Sequence, residues 1–389
     1  MKICFIYDFY TTGGAAIAAE RVIKSLGDRH TVYRICSEFN TFCKKSNFSL
    51  QPGRLVKTLE IFSNVLPSWL LCTLRDKSLN KQLRKILHQI KPEIINVHNI
   101  HSANWPVSLV QTALEFAPVS WTLHDCWSFS GGYYPKYCSK PTQKHSGSIQ
   151  SFWKIQKSTS SKHSLGAITP SSWMSKEALS SHWSGHSVET VRNPTPDFFF
   201  QELDRSGCKK ALGLPTDKAI VLCIAGNLEE ERKGGKILRT ILTSTTQAKA
   251  HFLIIGNGLV TQNQENCTYL GLIKDQVTLQ IAYNAADILL HPAPIDNLPN
   301  TIAESMCCGT PVLAFNTGGI SDIVLPEKSG WLVSTIDTES LLNKLIFILK
   351  TDGFNNIRNS TKEMAYRFFN SQEISQKYIT FFKHLLKTK

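Results

Sequence analysis

The chain has 389 residues, 42% hydrophobic and 19% charged, which excludes extended disorder and exceeds what one ordinary core needs. A formal charge of +13, from 43 Lys and Arg against 30 Asp and Glu, directs attention to anionic partners such as phosphorylated metabolites or an anionic membrane surface. Nucleic acid is set aside, because no aromatic-basic interleaving and no helix-turn-helix pattern accompanies the charge.

Short apolar strands alternate with helical patterns, which predicts an α/β chain with parallel sheets covered on both faces. Ile3 to Tyr7 reads as the first strand, Gly14 to Leu26 as a helix and Thr31 to Cys36 as a second strand. The most lipid-like stretch, Leu55 to Leu74, is interrupted by Lys57, Glu60, Ser63, Asn64, Pro67 and Ser68, too short to span a bilayer. A buried helical hairpin is expected there, with a surface-lying membrane contact as the alternative. The basic run Arg75 to Lys91 reads as a solvated helix face, with a membrane- or acceptor-facing patch as the alternative.

Ile94 to His98 and Val119 to Leu123 are further strands, followed by a long loop region from Ser128 to Ser164. Ala167 to Thr169, a helix near Ser172 to Trp183, and Ser187 to Val191 precede Asn193-Pro194-Thr195-Pro196, where the domain junction is placed. The alternation restarts with strands Ala219 to Ala225, His251 to Ile255, Asp287 to His291 and Val312 to Phe315, and helices from Gly235, Asp275 and Pro299. The tail from Thr338 is helical by pattern, with Phe368, Phe369, Ile374, Tyr378, Phe381, Phe382 and Leu385 as its apolar positions. The expected domains are 1–193, 194–368 and a terminal helix 369–389.

Eleven cysteines form no Cys-x-x-Cys pair and no zinc spacing with His, and no secretory signal is seen, so reduced thiols in a cytoplasmic protein are expected. Cys223 and Cys307-Cys308 read as small core residues.

In doubly wound sheets ligands bind beyond the carboxyl ends of strands, so the loops there carry the candidate chemistry. Tyr10 to Ala16, with Gly13 and Gly14, could bring backbone N–H groups to a phosphate at a helix start, or be a tight turn only. Trp121 to Trp127 ends a strand in His124-Asp125, and His124 could bind a ligand or be a satisfied buried histidine. Ala225-Gly226-Asn227 leads to Glu229-Glu230-Glu231-Arg232-Lys233-Gly234-Gly235, where two cations before a Gly-rich helix start suit a diphosphate. Solvated charges balancing the glutamates are the alternative. Asp296 to Val312 holds a helix start at Pro299, N–H groups near Asn300, Thr301 and Ile302, and Glu304 about one turn further in. A carboxylate on an apolar helix needs a partner. Sugar hydroxyls suit it, since it can accept two at once, and an ion pair is the other solution.

The stretch from Asp296 through Gly318-Gly319-Ile320 resembles the donor-binding motif of the family 4 glycosyltransferases: two glutamates separated by seven residues, then Gly-x-Pro-Val and a Gly-Gly turn. The Gly13-Gly14 loop, Trp121 to Trp127, Arg232-Lys233-Gly234 and the ending around Phe368 to Leu386 are similar to that family too, in its order and over nearly the whole chain. The resemblance implies a GT-B fold, two Rossmann-like domains facing a cleft with the terminal helix crossing back to the first. It implies that Glu304 binds the donor ribose, Asp296 contacts the transferred sugar, and the N–H groups of Thr301 and Ile302 meet the diphosphate. Lys233, with Arg232, would neutralise the leaving diphosphate; Gly226 and Asn227 would border it; Gly13 and Gly14 would line the opposite wall; and His124 would approach the sugar. Two positions depart from the family: Asp296 is one methylene shorter than the usual Glu, and Asn227 replaces the usual Arg.

The implied activity is retaining transfer of a sugar from a nucleoside diphosphate sugar to a hydroxyl of a glycan or lipid-linked acceptor of a surface polysaccharide, which would suit a basic protein visiting the inner membrane surface. No Asp-x-Asp occurs, so neither metal nor other cofactor is expected. A sugar-nucleotide epimerase of the same fold and a catalytically degenerate binding subunit are the competing functions.

Overall fold

The computed structural model describes residues 1–10, 13–38, 46–61, 66–132, 134, 146–158, 162–244, 250–258, 266–351 and 353–388. The chain divides into two compact units, Met1–Val191 with Gln372–Lys389, and Arg192–Ser371. Each is built on one parallel sheet.

In the first unit the strands are β1 (Lys2–Ile6), β2 (Thr31–Cys36), β3 (Asn47–Ser49), β4 (Ile94–Val97), β5 (Val119–Thr122), β6 (Leu165–Thr169) and β7 (Ser187–Thr190), in sheet order β3-β2-β1-β4-β5-β6-β7. In the second they are β8 (Ala219–Asn227), β9 (Ala250–Asn257), β10 (Cys267–Tyr269), β11 (Ile288–His291), β12 (Val312–Phe315) and β13 (Gly330–Val333), in order β10-β9-β8-β11-β12-β13. Every strand pair is parallel. The apolar runs follow from this arrangement, since a strand with helices on both faces has no solvent side and loses its alternation. β4, β5, β6, β11 and β12 are buried at every residue.

Cys223, Cys307 and Cys308 lie in the core of the second unit, as small apolar residues. Phe369 belongs to that core as well, whereas Ile374, Tyr378, Phe381, Phe382 and Leu385 pack with Ile3, Phe5 and Ile168 in the first unit. The helix Ser371–Lys387 therefore covers the first sheet.

Two expectations are corrected. The stretch 128–164 is not a loop throughout: its described residues include the helices Trp127–Ser130 and Ser146–Ser158, the latter anchored by buried Ile149, Phe152 and Trp153. Leu55 to Leu74 is helical, as Arg54–Ile61 and the start of Ser68–Ile90, but it is not a buried hairpin. Leu55, Ile61 and Trp69 are 75%, 79% and 68% exposed, because α-helical spacing buries Val56 and Leu71 on the opposite face, the only fully buried positions among the described residues of this stretch. Residues 62–65, and Thr11 and Thr12 of the first glycine loop, lie outside the described residues. Among the described residues, no helix is long and apolar enough to cross a membrane.

Candidate functional site

Each sheet reverses its strand order once, between β8 and β11 in the second unit and between β1 and β4 in the first. At such a switch point the two neighbouring loops diverge to opposite faces and leave a crevice at the carboxyl edge. Residues on those loops are where a ligand would be met.

In the second unit, β8 ends in exposed Gly226 and Asn227, whose Oδ1 accepts the Glu229 N–H at 3.0 Å, and the loop after it runs into the turn Glu231–Lys233. Gly234 ends that turn at φ 77°, and a Cβ there would lie 2.1 Å from the Pro292 carbonyl oxygen. Only glycine lets the β8 and β11 loops touch so closely. The contact brings Lys233 Nζ to 2.7 Å from Asp296 Oδ2. Gly318 does the same from the other side: at φ 56° its Cβ would meet the Asp296 carbonyl oxygen at 1.9 Å, and the Gly319 N–H donates to that oxygen at 3.1 Å. The Gly-Gly turn thus clamps the backbone that carries Asp296.

Asp296 is 7% exposed, and the Asn297 N–H donates to its Oδ1 at 2.9 Å. Burial alone would push this carboxyl up, but Lys233, with His291 and Arg232, outweighs burial and holds it at about 2. His291, the last residue of β11, is 5% exposed and places Nε2 3.9 Å from Asp296 Oδ2. That nitrogen is buried and has no hydrogen-bond partner among the described residues. Burial lowers the imidazole to about 4, Asp296 opposing and Lys233 and Arg232 adding to the effect. Arg232 turns the other way, its Nε donating to Glu230 Oε1 at 2.9 Å.

Glu304 sits in the helix Asn300–Cys307, 6% exposed. Tyr283, wholly buried in the helix Gln276–Ala285, donates its hydroxyl to Glu304 Oε2 at 2.7 Å. The carboxylate therefore has a neutral hydroxyl partner that fixes its rotamer and leaves its charge uncompensated by that contact. Pro299 precedes the helix without a side-chain cap. Asn300 and Thr301 are half-buried at its mouth, while the Ile302 N–H donates to the Pro299 carbonyl at 3.2 Å.

In the first unit, Gly13 at φ 92° leads into the helix Gly14–Leu26, and the Ile17 N–H donates back to Gly13 O at 3.1 Å. Beyond β4 and β5 a polar chain runs through the interior. Asn96 Nδ2 donates to Ser120 O at 2.8 Å and to Thr122 Oγ1 at 3.1 Å. Its Oδ1 faces His98 Nε2 at 2.8 Å, and His98 Nδ1 faces His124 Nε2 at 2.8 Å. An amide oxygen can only accept, so His98 carries its proton on Nε2. Burial holds His98 well below its ordinary range and His124 at about 4, so both rings are neutral at pH 7. His98 Nδ1 is then an acceptor, His124 Nε2 the donor, and His124 Nδ1 an acceptor nitrogen. Beside this chain His101 Nε2 lies 3.3 Å from Asp125 Oδ2 and stacks on Trp127 at 4.9 Å. Burial would lower His101, but Asp125 and Asp8 outweigh it and raise its pKa.

Of the residues singled out in the sequence, Lys233 and Asp296 are brought into direct contact, whereas the hydrogen bond of Arg232 goes to Glu230. The sequence did not reveal Tyr283, His291, Asn96, His98 or His101. The nearest signal was the pattern of His98 and His101 after β4, at a switch point like that of Lys233.

Residues 219–351 match the family model described as glycosyl transferases group 1. The chain is similar to N-acetyl-alpha-D-glucosaminyl L-malate synthase of Bacillus anthracis, 23% identical over 215 residues, covering 51% of this chain and 54% of that protein. It is similar to D-inositol 3-phosphate glycosyltransferase of Saccharomonospora viridis, 28% identical over 189 residues, covering 43% of this chain and 44% of that protein. The chain thus spans about half the length of these curated relatives. Among solved structures, sucrose-phosphate synthase of Thermosynechococcus elongatus matches with a TM-score of 0.75 at 18% identity, covering 99% of this chain and 98% of that one. Anabaena HepE in complex with UDP and glucose matches with a TM-score of 0.70 at 18% identity, covering 99% and 100%. The chain carries a group 1 glycosyltransferase domain at residues 219–351 and has the GT-B fold, with two Rossmann-like parallel-sheet units.

Proposed function

We propose that the protein is a metal-independent, retaining glycosyltransferase that moves a sugar from a nucleoside diphosphate sugar to a hydroxyl acceptor, a glycan or lipid-linked intermediate of a surface polysaccharide. The observation that carries this reading is the Lys233–Asp296 pair, a half-buried ammonium on a buried carboxylate, on the two switch-point loops of the second unit, with Glu304 on the helix that follows. UDP and UDP-glucose in the Anabaena HepE structures, and the transferase names of the sequence relatives, support the choice of donor class.

In this reading Glu304, held by Tyr283, accepts the ribose hydroxyls. Lys233 and Arg232, with the N–H groups of Asn300 and Thr301 at the helix mouth, neutralise the diphosphate as it leaves, and Gly226 and Asn227 border it; the Ile302 N–H stays on the Pro299 carbonyl. Departure of the diphosphate while positive charge grows on the sugar is the difficult step, and a preorganised donor at the leaving oxygen typically contributes on the order of 3 kcal/mol. Asp296 contacts the transferred sugar, through Lys233-paired or freed oxygens. In the first unit His124 offers Nδ1 as acceptor for a sugar hydroxyl, its tautomer set by His98, and the Gly13-Gly14 turn supplies backbone donors. Lys233 and Arg232 do the work that a metal bridge would do, so in this reading no metal or other cofactor is required.

The exposed Leu55, Ile61 and Trp69, beside exposed Arg54 and Lys57, support peripheral contact with an anionic membrane at its cytoplasmic face, where a lipid-linked acceptor would lie.

Thermal-shift screening of nucleoside diphosphates and their sugars, in wild type and Glu304→Ala, tests the site. Binding in wild type that is lost in the variant is expected, unaffected by chelator. Equal shifts in both proteins would refute the site, and transfer that stops with chelator and returns with a divalent metal would refute metal independence.

A further inference from the structure

Two features of the donor-side cluster are not explained by donor binding alone. Lys233, the residue read as the diphosphate's counter-charge, is paired with Asp296 at 2.7 Å. His291 Nε2 is buried, has no hydrogen-bond partner among the described residues, and lies 3.9 Å from the same carboxylate oxygen. Buried polar nitrogens are rarely left unpaired, and an orphan this close to a carboxylate calls for a second state in which it is paired.

The asymmetry of burial says which partner can leave. The Lys233 side chain is 24% exposed, against 9% for Asp296 and 6% for His291. An ammonium on a flexible stem can swing to a phosphate, whereas Asp296 is held through its backbone by Gly318 and Gly319 and cannot follow. A buried carboxylate stripped of its cation is strongly destabilised unless another positive group takes over. The charged groups facing His291 are Asp296 on its own loop and Lys233 and Arg232 on the β8 loop, with Arg232 tied to Glu230.

We propose that His291 is the relief partner of Asp296: when a nucleoside diphosphate draws Lys233 away, His291 Nε2 takes a proton from solvent and becomes the hydrogen-bonded counter-ion of the carboxylate. This rests on the donor-site reading above and goes beyond it, since it makes donor binding a proton-coupled event. The balance is simple. One N–H bond forms on the imidazole, the carboxylate stays ionised, and no bond in the nucleotide changes. Two changes drive it, withdrawal of the Lys233 cation and arrival of phosphate anions, and both raise the affinity of His291 for a proton from a starting point of about 4.

Calorimetry of UDP, ADP and GDP binding to the full chain at pH 7, in buffers of different ionisation enthalpy, counts the protons. For a nucleotide that binds, wild type is expected to take up about one proton more than His291→Asn or His291→Gln, because the nucleotide's own phosphate titration contributes equally to all three. Imidazole nitrogen NMR on the wild type reads the same event without a variant: of the chain's 12 histidines, one changes from neutral to protonated on binding. Equal proton uptake in wild type and both variants, or no change in any imidazole, overturns the coupling and leaves the donor site standing. If no nucleotide binds in a manner that Lys233→Ala and Glu304→Ala weaken, the donor-site reading falls and this inference with it.

Discussion

Asp296 and Lys233 neutralise each other, so any diphosphate must compete with a carboxylate for its cation. Removing that competitor while keeping the side-chain shape has an unusual expected result. Asp296→Asn should bind nucleoside diphosphates more tightly, by about five-fold, or about 1 kcal/mol. The same variant should lose transfer on the order of a hundred-fold, because the contact to the moving sugar is gone. Titration calorimetry and a transfer assay on one preparation check both, and diphosphate binding that weakens would show that Asp296 does not compete. Lys233 and Asp296 stood out as candidates in the sequence because glycines and Pro299 mark their loops as loops, and Glu304 because a carboxylate on an apolar helix needs a partner. Tyr283 was not, since a tyrosine in an apolar helix 21 residues from Glu304 reads as core. His291 closes an apolar strand, and nothing in its neighbours shows that its ring lacks a partner. The Asn96-His98-His124 chain joins strands 26 residues apart, a contact that exists only once β4 and β5 pair.

Among elements, the inner strands were legible, and of the four edge strands in the described residues only Ser187–Thr190 was. Asn47–Ser49, Cys267–Tyr269 and Gly330–Val333 also lie at sheet edges and were missed, being three or four residues long and only partly buried. The helix Ser146–Ser158 escaped notice for a related reason: its inward face is just Ile149, Phe152 and Trp153, set among Ser, Gln and Lys. The Arg54–Ile61 and Ser68–Ile90 helices present the opposite case, apolar side chains with no protein to cover them. If that face meets lipid, the protein should float with vesicles containing anionic phosphatidylglycerol and stay in solution with phosphatidylcholine alone. Changing Leu55, Ile61 and Trp69 together to Ser should abolish flotation while the thermal midpoint stays unchanged. Flotation that survives the triple change would place any membrane contact elsewhere.

For the whole molecule, the buried histidines set the acid limit. His98, His124 and His291 are all held below the ordinary histidine range by burial, so between their folded values and about 6.5 the unfolded chain binds protons that the fold refuses. Their contribution is present above about 6.5 and is lost as pH falls toward their folded values. His101 has the opposite sign, its raised pKa favouring the fold below about 6.5, and partly offsets the loss. The unfolding free energy from denaturant titration should therefore fall between pH 7 and pH 5, with His291 alone contributing about 2 kcal/mol of that fall. The fall should be shallower in His291→Gln, and an identical pH profile in the variant would show that His291 is not excluded from protonation in the fold.

The helix Ser371–Lys387 gives the chain a particular birth order. Its Tyr378 and Phe382 complete the core that Ile3, Phe5 and Ile168 begin, yet the whole of Arg192–Ser371 stands between them in sequence. During synthesis the ribosome must finish the second unit before the first can receive its covering helix. The first sheet waits with an apolar face open to chaperones, while the second unit, contiguous along the chain, can close around its own core without waiting.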